Sequence, residues 1–139
     1  IWGLVADLPE ISERQRAVII EEVARYRRFN EAKRDNLYEI HSVPDNTDAV
    51  GVVYWTADNA QAAVLMLRWD TRSRAPFSKK IAMPFADAPG VEEGIRYRVE
   101  CVDSGSLETH TARALRQHGL DAAFGDGQLS IMVFIERIP

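Results

Sequence analysis

Three tryptophans, three histidines, one cysteine and a scatter of carboxylates are the residues of this chain equipped for chemistry. Trp55 and Trp69 flank one apolar hairpin, where their indole rings would lie close enough together to stack on a sugar; Trp2 stands apart near the start. Large aromatic side chains serve core and interface packing equally well. A carbohydrate-binding pair at Trp55 and Trp69 is therefore one expectation, and simple burial is the other. His41, His110 and His118 have no neighbours at metal-ligand spacing, so surface or hydrogen-bonded histidines are expected and no metal or cofactor is assigned. Cys101 falls on the apolar side of an alternating segment, where a thiol behaves as a small hydrophobe; a nucleophile would need a base and an exposed position. Asp45, Asp48, Asp58, Glu92, Glu93, Asp103 and Asp126 sit almost entirely in turns, where short acidic side chains bond to nearby backbone. No paired-carboxylate site is legible in them. Gly125-Asp126-Gly127 is too short to cradle a phosphate, no helix follows it, and it reads as a hairpin turn.

The elements that would position these residues begin with a helix. Ser12 and Gln15 form a capping-box pattern, and Glu13 suits the positive end of the helix dipole. The expected helix runs from about Ser12 to about Lys33. Ile19, Val23, Tyr26 and Asn30 share a stripe widened by Ile20 and Ala24, while Arg14, Glu21, Glu22, Arg25 and Arg28 make the other face. That stripe needs a cover, either the domain's own sheet or a neighbouring body. Periodicity does not choose between them.

Beyond Asp35 the texture turns to strands. Leu37–Val43, Ala49–Thr56, Ala60–Trp69, Lys79–Phe85 and Ile95–Val102 are the expected strands, with Pro84 arguing for an edge. Ala57-Asp58-Asn59 closes the central hairpin. Ile95, Tyr97, Val99 and Cys101 alternate with Arg96, Arg98 and Glu100, the pattern of a half-buried strand. Thr111–His118 reads as a short helical turn stopped by Gly119; Leu120, Ala122 and Phe124 mark a short strand, and Leu129, Ile131, Val133 and Ile135 a last one. The gaps are nearly all too short for parallel crossovers. The expected fold is mainly β: an antiparallel sandwich or flattened barrel of about seven or eight strands, preceded by one long amphipathic helix.

The totals set outer bounds. A chain of 139 residues, 46% apolar and 27% charged, suits one domain with a true core. A net charge of −4 with no basic block gives no electrostatic route to nucleic acid or an anionic membrane. No apolar run approaches the roughly 20 residues of a membrane span. A single cysteine permits no internal disulfide and suits a reducing cytoplasm. The opening Ile1-Trp2-Gly3 is neither an initiator methionine nor a signal peptide, and reads as part of a longer polypeptide.

Three stretches in this order resemble the C-terminal part of bacterial α-galactosidases of glycoside hydrolase family 36. SERQRAVIIEEVARYRRF followed by NLYEI is similar to the last barrel helix and the strand entering the tail domain. VVYWTADNAQAAVLMLRW resembles that family's hairpin, with its aspartate turn. GIRYRVECVDSG, ALRQHGL and LSIMVFIERI resemble its closing strands and intervening segment, with Leu107–Arg113 as a longer insert. The resemblance covers nearly the whole chain. It implies that residues 1–35 are the end of a catalytic (β/α)8 barrel and 36–139 a C-terminal β-sandwich. It also implies that the two catalytic aspartates of a retaining mechanism lie upstream, so no catalytic residue is assigned here. The implied partner is the missing barrel, with α-galactosides reached through the whole enzyme and homo-oligomer contacts as a further role. Two other classes stand beside it: a free-standing carbohydrate-binding module built on Trp55 and Trp69, and a small-ligand carrier with the helix closing a curved sheet over an apolar cavity.

Overall fold

The computed structural model describes residues 11–42, 49–68 and 75–139. Helix α1 spans Glu13–Lys33, and the capping box forms as its sequence requires: Ser12 accepts from the Gln15 backbone N–H, and the Gln15 side chain accepts from the Ser12 N–H at 2.9 Å. Strands β1 (Leu37–Ser42), β2 (Ala49–Trp55), β3 (Gln61–Arg68), β4 (Phe77–Ile81), β5 (Arg96–Cys101), β6 (Ser106–Thr111), β7 (Leu120–Phe124) and β8 (Ser130–Ile138) follow, with helix α2 (Ala112–His118) between β6 and β7. Six strands form one sheet in the order β1-β2-β3-β8-β5-β6, and β4 pairs with β7 in a second. Every pairing is antiparallel. This is the mainly-β, antiparallel fold expected from the short gaps.

The core lies between the two sheets. The six-stranded sheet contributes Val53, Val64, Met66, Tyr97, Val99, Ile131, Val133 and Ile135. The second layer answers with Ile81, Phe85, Leu115, Leu120, Ala122 and Phe124. Cross-strand geometry explains Gly51: it lies opposite Met66, and a Cβ there would fall 1.8 Å from the Met66 Sδ. Two buried hydroxyls are bonded. The Tyr97 hydroxyl donates to the Asn59 carbonyl at 3.1 Å, and the Thr56 hydroxyl bonds to Asp58 within the β2–β3 turn. Arg68, 5% exposed, lies over the stacked rings of Phe77 and Phe124 at 4.9 and 5.6 Å. Phe29 and Ala32 of α1 pack on the opposite side of the large sheet, against Ala63 and Phe134.

Several boundaries differ from expectation. The strand expected over Lys79–Phe85 is Phe77–Ile81, because Pro84 opens a 3-10 turn over Pro84–Asp87 that carries Phe85 into the core. Strand β6 went unread: SLETHT has no apolar alternation, since it is an edge strand with an exposed outer face. The expected helical turn is α2, with the Thr111 hydroxyl accepting from Ala114 N–H at 3.1 Å. Leu129 lies outside β8 and is 53% exposed, whereas Ile131, Val133 and Ile135 are buried as read. Val43 and Trp69, expected at strand ends, fall outside the described residues.

Candidate functional site

Helix α1 has two apolar aspects, and only one meets its own sheet. Near its end, Phe29 stands edge-on to Tyr54 with ring centroids 5.4 Å apart, and Ala32 is 2% exposed. Arg28 lies over the Phe134 ring at 4.2 Å and pairs with Glu100, and Lys33 covers Tyr54 at 5.0 Å. Arginine and lysine stems pack on aromatic faces while their charges stay hydrated or paired. Arg28, placed by periodicity on the face opposite the apolar stripe, is thus on the side that meets the sheet. Arg25, half-buried, is held by Glu21 and Glu22 on its own helix.

The stripe read from periodicity points elsewhere. At 3.6 residues per turn, Val23 sits about half a turn round the helix from Ala32. Val23 is 38%, Tyr26 46% and Ile20 64% exposed. The large sheet shows the same incompleteness on the face where α1 docks. Tyr38, Ile40, Val52, Tyr54, Leu65, Leu67, Met132 and Phe134 share that face by register. Ala63, Tyr54 and Phe134 lie beneath the helix, whereas Tyr38, Ile40 and Leu67 are exposed. Chemically, this is a set of exposed apolar side chains, the kind that marks contact surfaces on folded proteins.

The helix is locked to the sheet by the turn that follows it. Asp35 accepts a 2.7 Å hydrogen bond from Ala57 N–H on the β2–β3 turn, and Arg34 lies 3.9 Å from Asp58. The Ala57 N–H and then the Arg34 side chain hold the Asp35 carboxyl below the usual carboxylate range. Asp58 is likewise lowered, first by the Thr56 hydroxyl and then by Ala60 N–H. Both carboxylates therefore serve the joint between helix and hairpin.

Of the residues considered for chemistry, Trp55 is half-buried and packs against the inter-sheet core, while Trp69 and Trp2 lie outside the described residues. His41 sits on β1, half-buried, 3.6 Å from Glu39. His110 is on β6, bonded to Glu108 at 2.9 Å, and His118 is the last residue of α2. Cys101 is a free, half-buried thiol at the end of β5. Among the described residues no three His, Cys, Asp or Glu side chains converge to hold a metal. Between α1 and the sheet, beside the Phe29 and Ala32 contact, is a depression of about 200 Å³ rimmed by Arg28, Glu31 and Gln61, and a groove of about 450 Å³ lies on the other side of the sheet. No described helix is long and apolar enough to cross a membrane. The sheet-side contacts of Phe29 and Arg28 were missed in the sequence, although Arg25, Arg28, Phe29 and Ala32 do fall at helical spacing.

No protein-family model matches the sequence, and no curated protein matches it. Solved structures do. Over 94% of this chain the fold is similar to the galactosidase domain of an α-galactosidase-sucrose kinase, with a TM-score of 0.63 and 14% identity. Over 96% it is similar to an α-galactosidase from Lactobacillus brevis, with a TM-score of 0.65 and 15% identity. The chain spans only 17% and 18% of those two chains. At such identity the likeness is one of fold, and it is the fold that the sequence resemblance implied.

Proposed function

We propose that this chain is the non-catalytic C-terminal accessory domain of an α-galactosidase-like glycoside hydrolase, and that it braces the catalytic barrel. The observation that carries this reading is the uncovered apolar stripe of α1, taken together with a fold matched in under a fifth of two α-galactosidase chains. Residues 1–35 are then the end of the barrel and 36–139 the tail. Ile20, Val23 and Tyr26 lie against the barrel, while Phe29 and Ala32 bind the tail's own sheet. One helix gripped on both sides couples two bodies mechanically, and that coupling is the bracing role. The α-galactoside substrate belongs to the barrel. A reducing cytoplasm suits a chain whose single cysteine has no partner.

Two measurements test this. The purified chain is expected to leave aryl α-galactosides intact; turnover that survives removal of contaminating hydrolases defeats the proposal. The reading frame upstream of Ile1 is expected to encode a barrel with two catalytic aspartates, and a stop codon or start site there has the same consequence.

A further inference from the structure

The two layers of the sandwich are unequal, with six strands against two. Because the β4–β7 pair is narrow, among the described residues no strand faces β6, and its inward positions are polar. Ser106, Glu108 and His110 stand opposite Cys101, Val99 and Tyr97. Between β6 and β7 runs a groove of about 450 Å³. Its floor is apolar, made by Val99, Cys101, Ile131 and Val133. No residue of β4 lines it, so it lies along the side of β7 that β4 does not pair with. Among the described residues no strand pairs with that side.

A strand edge beside an apolar floor is what extended peptides recognise: main-chain hydrogen bonds supply affinity, and alternate side chains drop onto the floor. β7, of sequence LDAAF, carries no proline or lysine to discourage such pairing. At roughly 3.3 Å per residue its length admits a strand of about five residues. The groove's carboxylates, Glu108, which is bonded to the neighbouring His110, and Asp121, are both exposed. We infer that this groove binds an extended peptide segment of alternating apolar and basic residues, added in β fashion to the free edge of β7. The inference is independent of the bracing role.

Cys101, the chain's only cysteine, lines the groove and reports occupancy. The probe is an end-blocked decapeptide of alternating lysine and valine. It is expected to slow iodoacetamide alkylation of Cys101 saturably, with half-effect at about 10–100 μM, and to slow amide exchange in β7. Glu108→Lys combined with Asp121→Lys alters two exposed side chains. That variant is expected to keep the same thermal melt while raising the half-effect concentration about tenfold, the scale of two lost rim ion pairs. No protection up to about 1 mM overturns the inference. So does equal protection by a glutamate–valine peptide, an unchanged half-effect in the double variant, or protection by raffinose in place of the peptide.

Discussion

The two faces of the six-stranded sheet are built from the same strands and finished differently. On the inner face Val53, Val64 and Met66 are fully buried, with Ile135 and Tyr97 each 1% exposed, under a second layer supplied by the chain itself. On the outer face Phe134 and Ala63 are buried by the end of α1, but Leu67 is 47% and Ile40 64% exposed. Strands apolar on both sides, such as AVGVVYW and QAAVLMLR, are the mark of a sheet covered twice. The inner cover is supplied by this chain and leaves only the groove beside β6, whereas the outer cover stops where the helix turns its second apolar aspect outward.

The contrast predicts a gradient of mutational effects. Tyr97→Ala empties the inner core beside Phe85, its edge-on neighbour, and orphans the Asn59 carbonyl. It should cost about 3–5 kcal/mol, read as a large fall in the denaturant midpoint. Gly119→Ala places a Cβ 2.4 Å from the Ile81 carbonyl oxygen at a φ of +66°. Strain at a left-handed position together with that clash should cost about 2–3 kcal/mol, loosening the β4–β7 layer. Phe29→Ala, on the outer face, should cost about 2 kcal/mol and release α1 alone. Amide exchange would then speed up through the helix while β3 and β8 stay protected; equal acceleration in the strands would mean that the two faces are not independent.

Acid separates the faces more gently. The Asp35 and Asp58 carboxyls are lowered in the folded chain, so their contribution is complete above the ordinary carboxylate range and is lost as pH falls through it. Asp35→Asn should flatten the decline of the melting temperature between about pH 5 and pH 2, with the helix joint more affected than the core. Tyr97 has the opposite sense. Burial raises its hydroxyl, so the neutral form is favoured, and that contribution fades only above about pH 10. The smallest effect is expected on the uncovered ridge. Ile20→Glu with Val23→Glu should move the stability of the isolated chain by no more than about 0.5 kcal/mol each. In a polypeptide that carries the proposed barrel, the same pair should lower that barrel's melting temperature; no change there would break the proposed assignment of that ridge to an interface.

Much of this was legible because the signals are local. A capping box needs only Ser12 and Gln15, a hairpin needs a turn between two apolar runs, and the alternation of Tyr97 and Val99 with arginines identifies a half-buried strand. Local chemistry therefore determined the helix, most strands and their antiparallel sense. Where a burial choice depends on distant residues, the same reading failed. Arg28 counts as polar in sequence, yet the ring of Phe134, more than a hundred positions away, gives it a packing surface. SLETHT becomes a strand because β5 offers it an edge. Pro84 and Phe85 leave the strand because the core takes the phenylalanine ring. Which side of α1 meets the sheet was likewise a tertiary decision: the helix carries apolar side chains on two aspects, and only the shape of the surface beneath it selects one and leaves the other exposed.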